Sequence, residues 1–419
     1  MGTIAAVPSK LHSTLTCAPA RQNRAMRMMR SLIVLCGGAV ALRTPAPLRT
    51  AARRGAVTMK WGEHIGDHDF LRNADGRPSQ LQRDHGKLVI TLATTGNINT
   101  RENNPALPCS PREMADDMHE CIKLGVSVLH IHSRNELLKP TMRVDKFRET
   151  CRLVKERDPD VILQISTGGR APLDGVDVGT WRMDPLNLLP EMGSYTPGSV
   201  NLGPIVYQND AKLTRDMAIK YQELGIKPQI EVFDTNMISN AQNLVKQGLL
   251  TPPLEYGFVM GAPNAQECSP RQLGHLQSML MPGDTWTAIG VGKFEMPLAY
   301  MAICAGGHVR VGLEDNNKLP DGRVATNYEL VKHVVDMAKM MGREIATPAE
   351  AREILSMDPA KIDRIVPQLD PAMDLRDLVT DYHPYKDLEP IGGWSLEMRP
   401  TASHPEHPDY APKEVAVAR

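Results

Sequence analysis

From Lys87 onward, short apolar runs rich in β-branched residues alternate with longer amphipathic stretches. The pattern predicts a strand over 87–96 and then a helix over 110–125, with Ser110 as N-cap, Pro111 at the first position and Gly125 as the stop. Strands follow over 126–134 and 161–169, separated by a helix over 145–158. A shorter helix around 184–192 precedes a strand over 199–204 and a helix over 210–225. Strands over 227–235, 254–261, 285–292 and 308–315 are each followed by a helix, over 237–248, 269–281, 293–307 and 326–342. Eight strand–helix units in about 255 residues have the size and rhythm of an α/β TIM (β/α)8 barrel. An open doubly wound sheet is the poorer fit, because no GxGxxG follows the first strand.

Barrels of this kind do their chemistry where the strands end. The ends here are Thr94, Thr95 and Gly96; His130, His132 and Arg134; Ser166, Thr167, Gly168 and Gly169; Ser199 and Asn201; Glu231 and Asp234; and Arg310, Glu314 and Asp315. In "VLHIHSRN" two histidines occupy alternate positions, so they face the same way, roughly 7 Å apart. Alone, such a pair either binds metal or hydrogen-bonds locally. The last strand, "GGHVRVGLEDN", adds Arg310, Gly312 and Glu314 on one face. A closed barrel makes the last strand a neighbour of the first, which brings Glu314 across one strand from His130 and His132. Two imidazoles and a carboxylate with an open fourth position are a catalytic zinc arrangement. Ligands alone do not separate zinc from manganese or iron; the expected ion is zinc, one per chain. Arg310 and Asp315 read either as an ion pair closing the barrel or as functional groups beside the metal, the favoured reading. There Arg310 holds a carboxylate or enolate, or the two form a base dyad. In "QISTGG", Ser166 and Thr167 cap the next helix, or the paired glycines Gly168 and Gly169 open backbone amides to an anion.

Charge adds a boundary. Residues 1–60 carry ten Lys and Arg and no acid, so with a net charge of −1 for the whole chain, residues 61–419 carry −11. An acidic body argues against non-specific nucleic-acid binding, which works by neutralising phosphates. The apolar run Leu32–Leu42 has the length of a signal-peptide core and is too short to span a bilayer. An acid-free stretch rich in Arg, Ala, Thr and Pro follows it, like a transit peptide. This two-part leader predicts delivery to a plastid, with the mitochondrion as alternative, and no membrane for the mature form. The expected organisation is a presequence over 1–58, a polar N-terminal arm over 59–86, the catalytic barrel over 87–357 and a C-terminal extension over 358–419 with a disordered end. Of the 7 cysteines, Cys17 and Cys36 fall in the leader, and the other five lack a CxxC pair and read as reduced thiols, most of them core residues; the 23 methionines read mainly as core filler.

The first strand ending in TG, the HxHxR of the second, "ISTGG" on the third and "HVRVGLEDN" on the last together resemble the β-keto acid cleavage enzymes, over about Lys87 to Gly342. The resemblance implies a zinc-dependent TIM barrel, commonly a homotetramer. Such an enzyme condenses a β-keto acid with acetyl-CoA to give acetoacetate and a new acyl-CoA. It also implies that His130, His132 and Glu314 are the metal ligands, Arg310 and Asp315 the catalytic dyad and Ser166 a contact to the substrate carboxylate. Ser199 stands where the family often has a hydroxyl near the reacting carbonyl. Ile98 stands where the family's prototype has a glutamate suited to an amine-bearing substrate, so a non-basic keto acid is expected, with Asn97 or Asn99 available to a neutral polar tail. The alternatives are a zinc hydrolase of the amidohydrolase type and a non-catalytic scaffold. The first needs histidines at the fifth and sixth strand ends, which "IEVFDT" and "YGFVMG" lack. The second is expected to have lost the charged mouth residues.

Overall fold

The computed structural model describes residues 86–169, 178–203 and 205–378. The leader read over 1–58, nearly all of the arm read over 59–86 and the extension beyond 378 lie outside the described residues. Eight parallel strands close a barrel in chain order. They are β1 (Ile90–Ala93), β2 (Val128–Ile131), β3 (Ile162–Ile165), β4 (Met192–Tyr195), β5 (Lys227–Val232), β6 (Glu255–Met260), β7 (Thr285–Gly290) and β8 (His308–Val311). The helices are α1 (Pro111–Ile122), α2 (Val144–Arg157), α3 (Val178–Met183), α4 (Ala211–Leu224), α5 (Thr235–Lys246), α6 (Pro270–Ser278), α7 (Glu295–Cys304), α8 (Asn327–Met340) and α9 (Pro348–Ile354). The expected TIM barrel is the architecture. Helix α1 begins as its sequence predicts: Ser110 accepts the Glu113 amide and Glu113 returns the bond, closing a capping box.

The barrel interior changes character with height. Val89, Val128, Ile162 and Met192 pack together and against Ala346, Ala351 and Leu355, so that α9 seals the floor with apolar side chains. Arg352 of α9 grips the buried Glu191 with two bonds of 2.7 Å. Two residues further along each strand the inward positions are polar: Thr91, His130, Gln164 and Ser194, all buried. This step from apolar to polar makes the upper barrel a site rather than a core. Residues 358–378 pack on the flank, where Ile365 is fully buried and Arg364 donates to the carbonyls of Leu224 and Gly225 at 2.7 and 3.0 Å.

The fourth unit differs from the sequence reading. The helix expected around 184–192 is α3 followed by a 3-10 segment, Asp184–Leu188. The strand expected over 199–204 is not in the barrel. Val200–Leu202 instead pairs antiparallel with Ile205–Tyr207, and the barrel strand is Met192–Tyr195. "MGSY" contains no β-branched residue and only Tyr195 favours a strand, so local propensity is weak there. Packing holds it: the Tyr221 hydroxyl donates to the Ser194 carbonyl at 2.5 Å, and a side chain at Gly193 would press within 3.0 Å of Leu186.

Cys109, Cys121 and Cys151 are buried free thiols, as expected of core residues, and burial pushes Cys151 up to about 12. Among the described residues no helix is long and apolar enough to cross a membrane.

Asp117 on α1 bonds Asn327 at the start of α8 at 2.6 Å, and burial pushes its carboxyl up to about 7. An acid with a raised native pKa holds its proton in the native state after the unfolded chain has released it, so this group lowers stability progressively from about pH 4 to pH 7. Asp117→Asn is expected to match the parent near pH 4 and to exceed it by about 2 kcal/mol above pH 7, allowing for partial exposure. Urea unfolding at both pH values checks this; an equal difference at each would separate the effect from Asp117 ionisation.

Candidate metal centre

His130 is the penultimate residue of β2, in register with Ala93 of β1 and Gln164 of β3. His132 follows it just past the strand, and the two Nε2 atoms stand 3.2 Å apart in buried surroundings. Each Nδ1 meets an amide oxygen, Gln164 Oε1 at 2.6 Å for His130 and Asn97 Oδ1 at 3.1 Å for His132. An amide oxygen only accepts, so both Nδ1 atoms carry the proton and both Nε2 atoms present bare lone pairs. Asn97 is held in that sense because its Nδ2 donates to the Gly168 carbonyl. Burial, then the nearby Arg310, push His130 down to about 3, so its ring is neutral. Arg134 fixes the loop that carries Asn97, donating to the carbonyls of Gly96 at 2.9 Å and Asn99 at 2.8 Å.

Glu314 arrives from the turn after β8. Gly312 sits at φ +145°, where an added Cβ would strike the Ala93 carbonyl, and its amide donates to Glu295 at 2.8 Å. The Leu313 amide donates to Asn327 at 2.8 Å, and the Glu314 amide to the Ala93 carbonyl at 3.1 Å. Gly96, at φ +59°, lies beneath the Glu314 side chain, where a Cβ would come within 2.9 Å of Glu314 Cβ. Thus anchored, Glu314 places Oε1 3.3 Å from His132 Nε2 and Oε2 3.6 Å from His130 Nε2. Oε2 is buried without a hydrogen-bond partner. Two lone pairs and a carboxylate facing one another with no proton between them repel, and a cation removes that repulsion. The ligand atoms of His130, His132 and Glu314 all lie within 4.8 Å of one another. The set fits a metal ion with nitrogen and oxygen ligands and leaves further positions open.

Beside it, one buried guanidinium meets three carboxylates. Arg310 binds Asp315 with two bonds of 2.8 and 2.9 Å, Glu231 at 3.1 Å and Glu314 at 2.8 Å. Burial drives Asp315 up to about 7, opposed by Arg310 and reinforced by Glu314. Burial also raises Glu231. Burial raises Glu314 too, but the adjacent Arg310 guanidinium outweighs it and holds that carboxylate well below its usual range.

The other sequence candidates divide. Ser166 is buried, and its Oγ accepts the Gly168 amide at 3.1 Å. The Gly169 amide donates to the Thr167 carbonyl at 3.0 Å, so the two glycine amides read as open to an anion are both engaged within the turn. Gly168 is nevertheless at the centre, since a Cβ there would lie 3.7 Å from the His132 ring. Ser199 is exposed on the hairpin beyond β4, and its Oγ accepts the Asn209 amide at 2.8 Å. The residue that reaches the carboxylate cluster from β4 is Thr196, 3.3 Å from Glu231. Ile98 is 68% exposed, and Asn99 donates to the Leu313 carbonyl. Sequence reasoning gave no role to Gln164 or Glu231. A lone glutamine inside "VILQIS" and an acid at the end of an apolar strand were the available signals, and neither names its partner.

The profile of the beta-keto acid cleavage enzyme family matches residues 87–357. The chain belongs to that family. It is 40% identical over 273 residues to a 3-keto-5-aminohexanoate cleavage enzyme of Fusobacterium nucleatum subsp. nucleatum, covering 65% of this chain and 98% of the relative. It is 34% identical over 279 residues to a 3-oxoadipate:acetyl-CoA acetyltransferase of Cupriavidus necator, covering 66% and 96%. Among solved structures, the ternary complex of ObcA with a C4-CoA adduct and oxalate shares the fold, with a TM-score of 0.52 at 20% identity over 60% of this chain and 68% of that one. The family member described here is accordingly an enzyme, an acyltransferase that breaks a carbon–carbon bond of a β-keto acid.

Titration of the metal-free enzyme with Zn2+ is expected to reveal one site per chain. Glu314→Gln should weaken it beyond the roughly 10–100-fold that changes outside the ligand set produce. Unaltered affinity in that variant would remove Glu314 from the ligands.

Proposed function

We propose that the enzyme condenses a 3-keto acid lacking an amino group with acetyl-CoA, forming acetoacetate and a new acyl-CoA, and that its metal is zinc. The observation that carries this reading is the convergence of His130, His132 and Glu314 with the Arg310–Asp315 pair at one barrel end, in a chain of this family. A zinc ion held by those three residues supplies Lewis-acid polarisation of the keto acid's oxygens.

The protein's own groups account for the proton and the charge. Asp315, held by two bonds to Arg310 and raised to about 7, is the base that takes a proton from the carbon between ketone and carboxylate. Arg310 stays charged throughout and offsets the negative charge that this creates. That carbon attacks the thioester carbonyl of acetyl-CoA, and the CoA thiolate leaves. The thiolate then attacks the original ketone, the bond between ketone and central carbon breaks, and Asp315 returns its proton to that carbon. Acetoacetate and the new thioester result, with atoms and electrons balanced. Ser166, buried and bonded to the Gly168 amide, contacts the substrate carboxylate.

Specificity rests on the β1 loop. Ile98 offers no negative charge to an ammonium group, and Asn97 is engaged with His132 and Gly168, which leaves the loop to a neutral or anionic tail. The purified enzyme, given acetyl-CoA and a panel of 3-keto acids, is expected to release acetoacetate in a chelator-sensitive manner and to turn over amine-bearing acids least. Absence of acetoacetate from every acid, with zinc bound, would overturn the reading. Ile98→Glu is expected to shift the kcat/KM ratio toward a 5-amino acid by about tenfold, equivalent to ~1.4 kcal/mol; an unchanged ratio would place specificity elsewhere.

A further inference from the structure

The metal site is tied to the far side of the barrel interior by a chain of buried polar side chains. His130 Nδ1 meets Gln164 Oε1 at 2.6 Å. Gln164 Nε2 donates to Gln229 Oε1 at 3.1 Å, and Gln229 Nε2 donates to Glu255 Oε1 at 3.2 Å. Glu255 Oε1 also takes the Thr287 hydroxyl at 2.6 Å, and Oε2 takes that of Thr285. The chain crosses β2, β3, β5, β6 and β7, and Gln164, Gln229, Glu255 and Thr287 are all buried.

We propose that Glu255, three hydrogen bonds from the ring, is a positioning residue that sets the tautomer of His130. The proposal rests on the reading of His130 as a ligand through Nε2. A carboxylate oxygen accepts, so Gln229 must turn its NH2 toward Glu255 and its oxygen toward Gln164. Gln164 must then turn its NH2 toward Gln229 and its oxygen toward His130. That oxygen requires the proton on Nδ1, which leaves Nε2 bare. Glu255 Oε1 already holds two donors and has no room for a proton of its own, so the direction of the chain does not depend on whether Oε2 is protonated. Turning one amide around would set oxygen against oxygen, or N–H against N–H, between side chains that are all buried. His132 is independent of this chain, since Asn97 and the Gly168 carbonyl orient it locally.

The test reads the tautomers directly by 15N NMR of histidine-labelled, metal-free enzyme. The parent is expected to carry the His130 proton on Nδ1. Glu255→Met removes the terminal acceptor, and Gln229→Met cuts the chain in the middle. In both, the amide left without an acceptor is expected to turn, because a buried N–H without a partner is disfavoured more than a carbonyl oxygen. His130 should then move mainly to the Nε2–H form, with zinc affinity about tenfold lower. The double variant should go no further than either single one, and Glu255→Gln, which still presents an amide oxygen to Gln229, should restore the parent tautomer. His132 should hold its tautomer throughout. Retention of Nδ1–H in the two methionine variants would overturn the proposal, as would a parallel change in both rings, which marks disruption of the barrel. A metal other than zinc, or a different substrate, would leave these tautomers as stated.

Discussion

The guanidinium of Arg310 touches Glu231, Glu314 and Asp315 at once, inside a barrel mouth from which water is largely excluded. Three carboxylates brought this close without it would protonate or push the strand ends apart, because like charges in a poorly screened site repel strongly. Burial and Arg310 together set how the acids divide their work. Glu314, which also faces the histidines, is held ionised, while Asp315 is lifted to about 7 and Glu231 is raised. The same cluster yields one permanent anion suited to a metal and one carboxyl suited to exchanging a proton near neutrality.

That division works only if the carboxylates stay where they are, and the backbone after β8 is tied down accordingly. The buried Glu295 accepts both the Gly312 amide and the Asn316 side chain, and Asn327 takes the Leu313 amide while also binding Asp117. Burial raises Glu295 well above its usual range, against the pull of the bonds from Gly312 and Asn316. The turn carrying Glu314 and Asp315 is thus fastened from α7 and α8, the helices on either side of it. Gly96 and Gly312, both at positive φ, let the chain after β1 pass against the Glu314 side chain and the chain after β8 pack against the Ala93 backbone. The turn is held in place by groups outside the carboxylate cluster itself.

The histidines show a parallel arrangement at a different scale. His132 is oriented by a neighbour on the adjacent β1 loop, whereas His130 is oriented by residues spread around half the barrel. A barrel permits this because inward side chains from non-adjacent strands share one narrow interior. Gln164 of β3 and Gln229 of β5 meet across it although β4 lies between them in the sheet.

By itself the sequence determined the period of strands and helices, the shared face of His130 and His132, and the presence of Glu314, Arg310 and Asp315 at one strand end. These are local properties, since alternation along a strand and the spacing of apolar positions follow from backbone geometry within a few residues. Tertiary structure alone decided that "MGSY" is the fourth strand, that the Gly168 and Gly169 amides are engaged in their own turn, and that Ser199 lies out on a hairpin. It also decided the partners: Gln164 for His130 at a separation of 34 residues and Glu231 for Arg310 at 79. The sequence names residues that can donate, accept or carry charge. Which of them meet depends on strand register and on the packing of helices around the barrel, and those emerge only when the whole chain has closed.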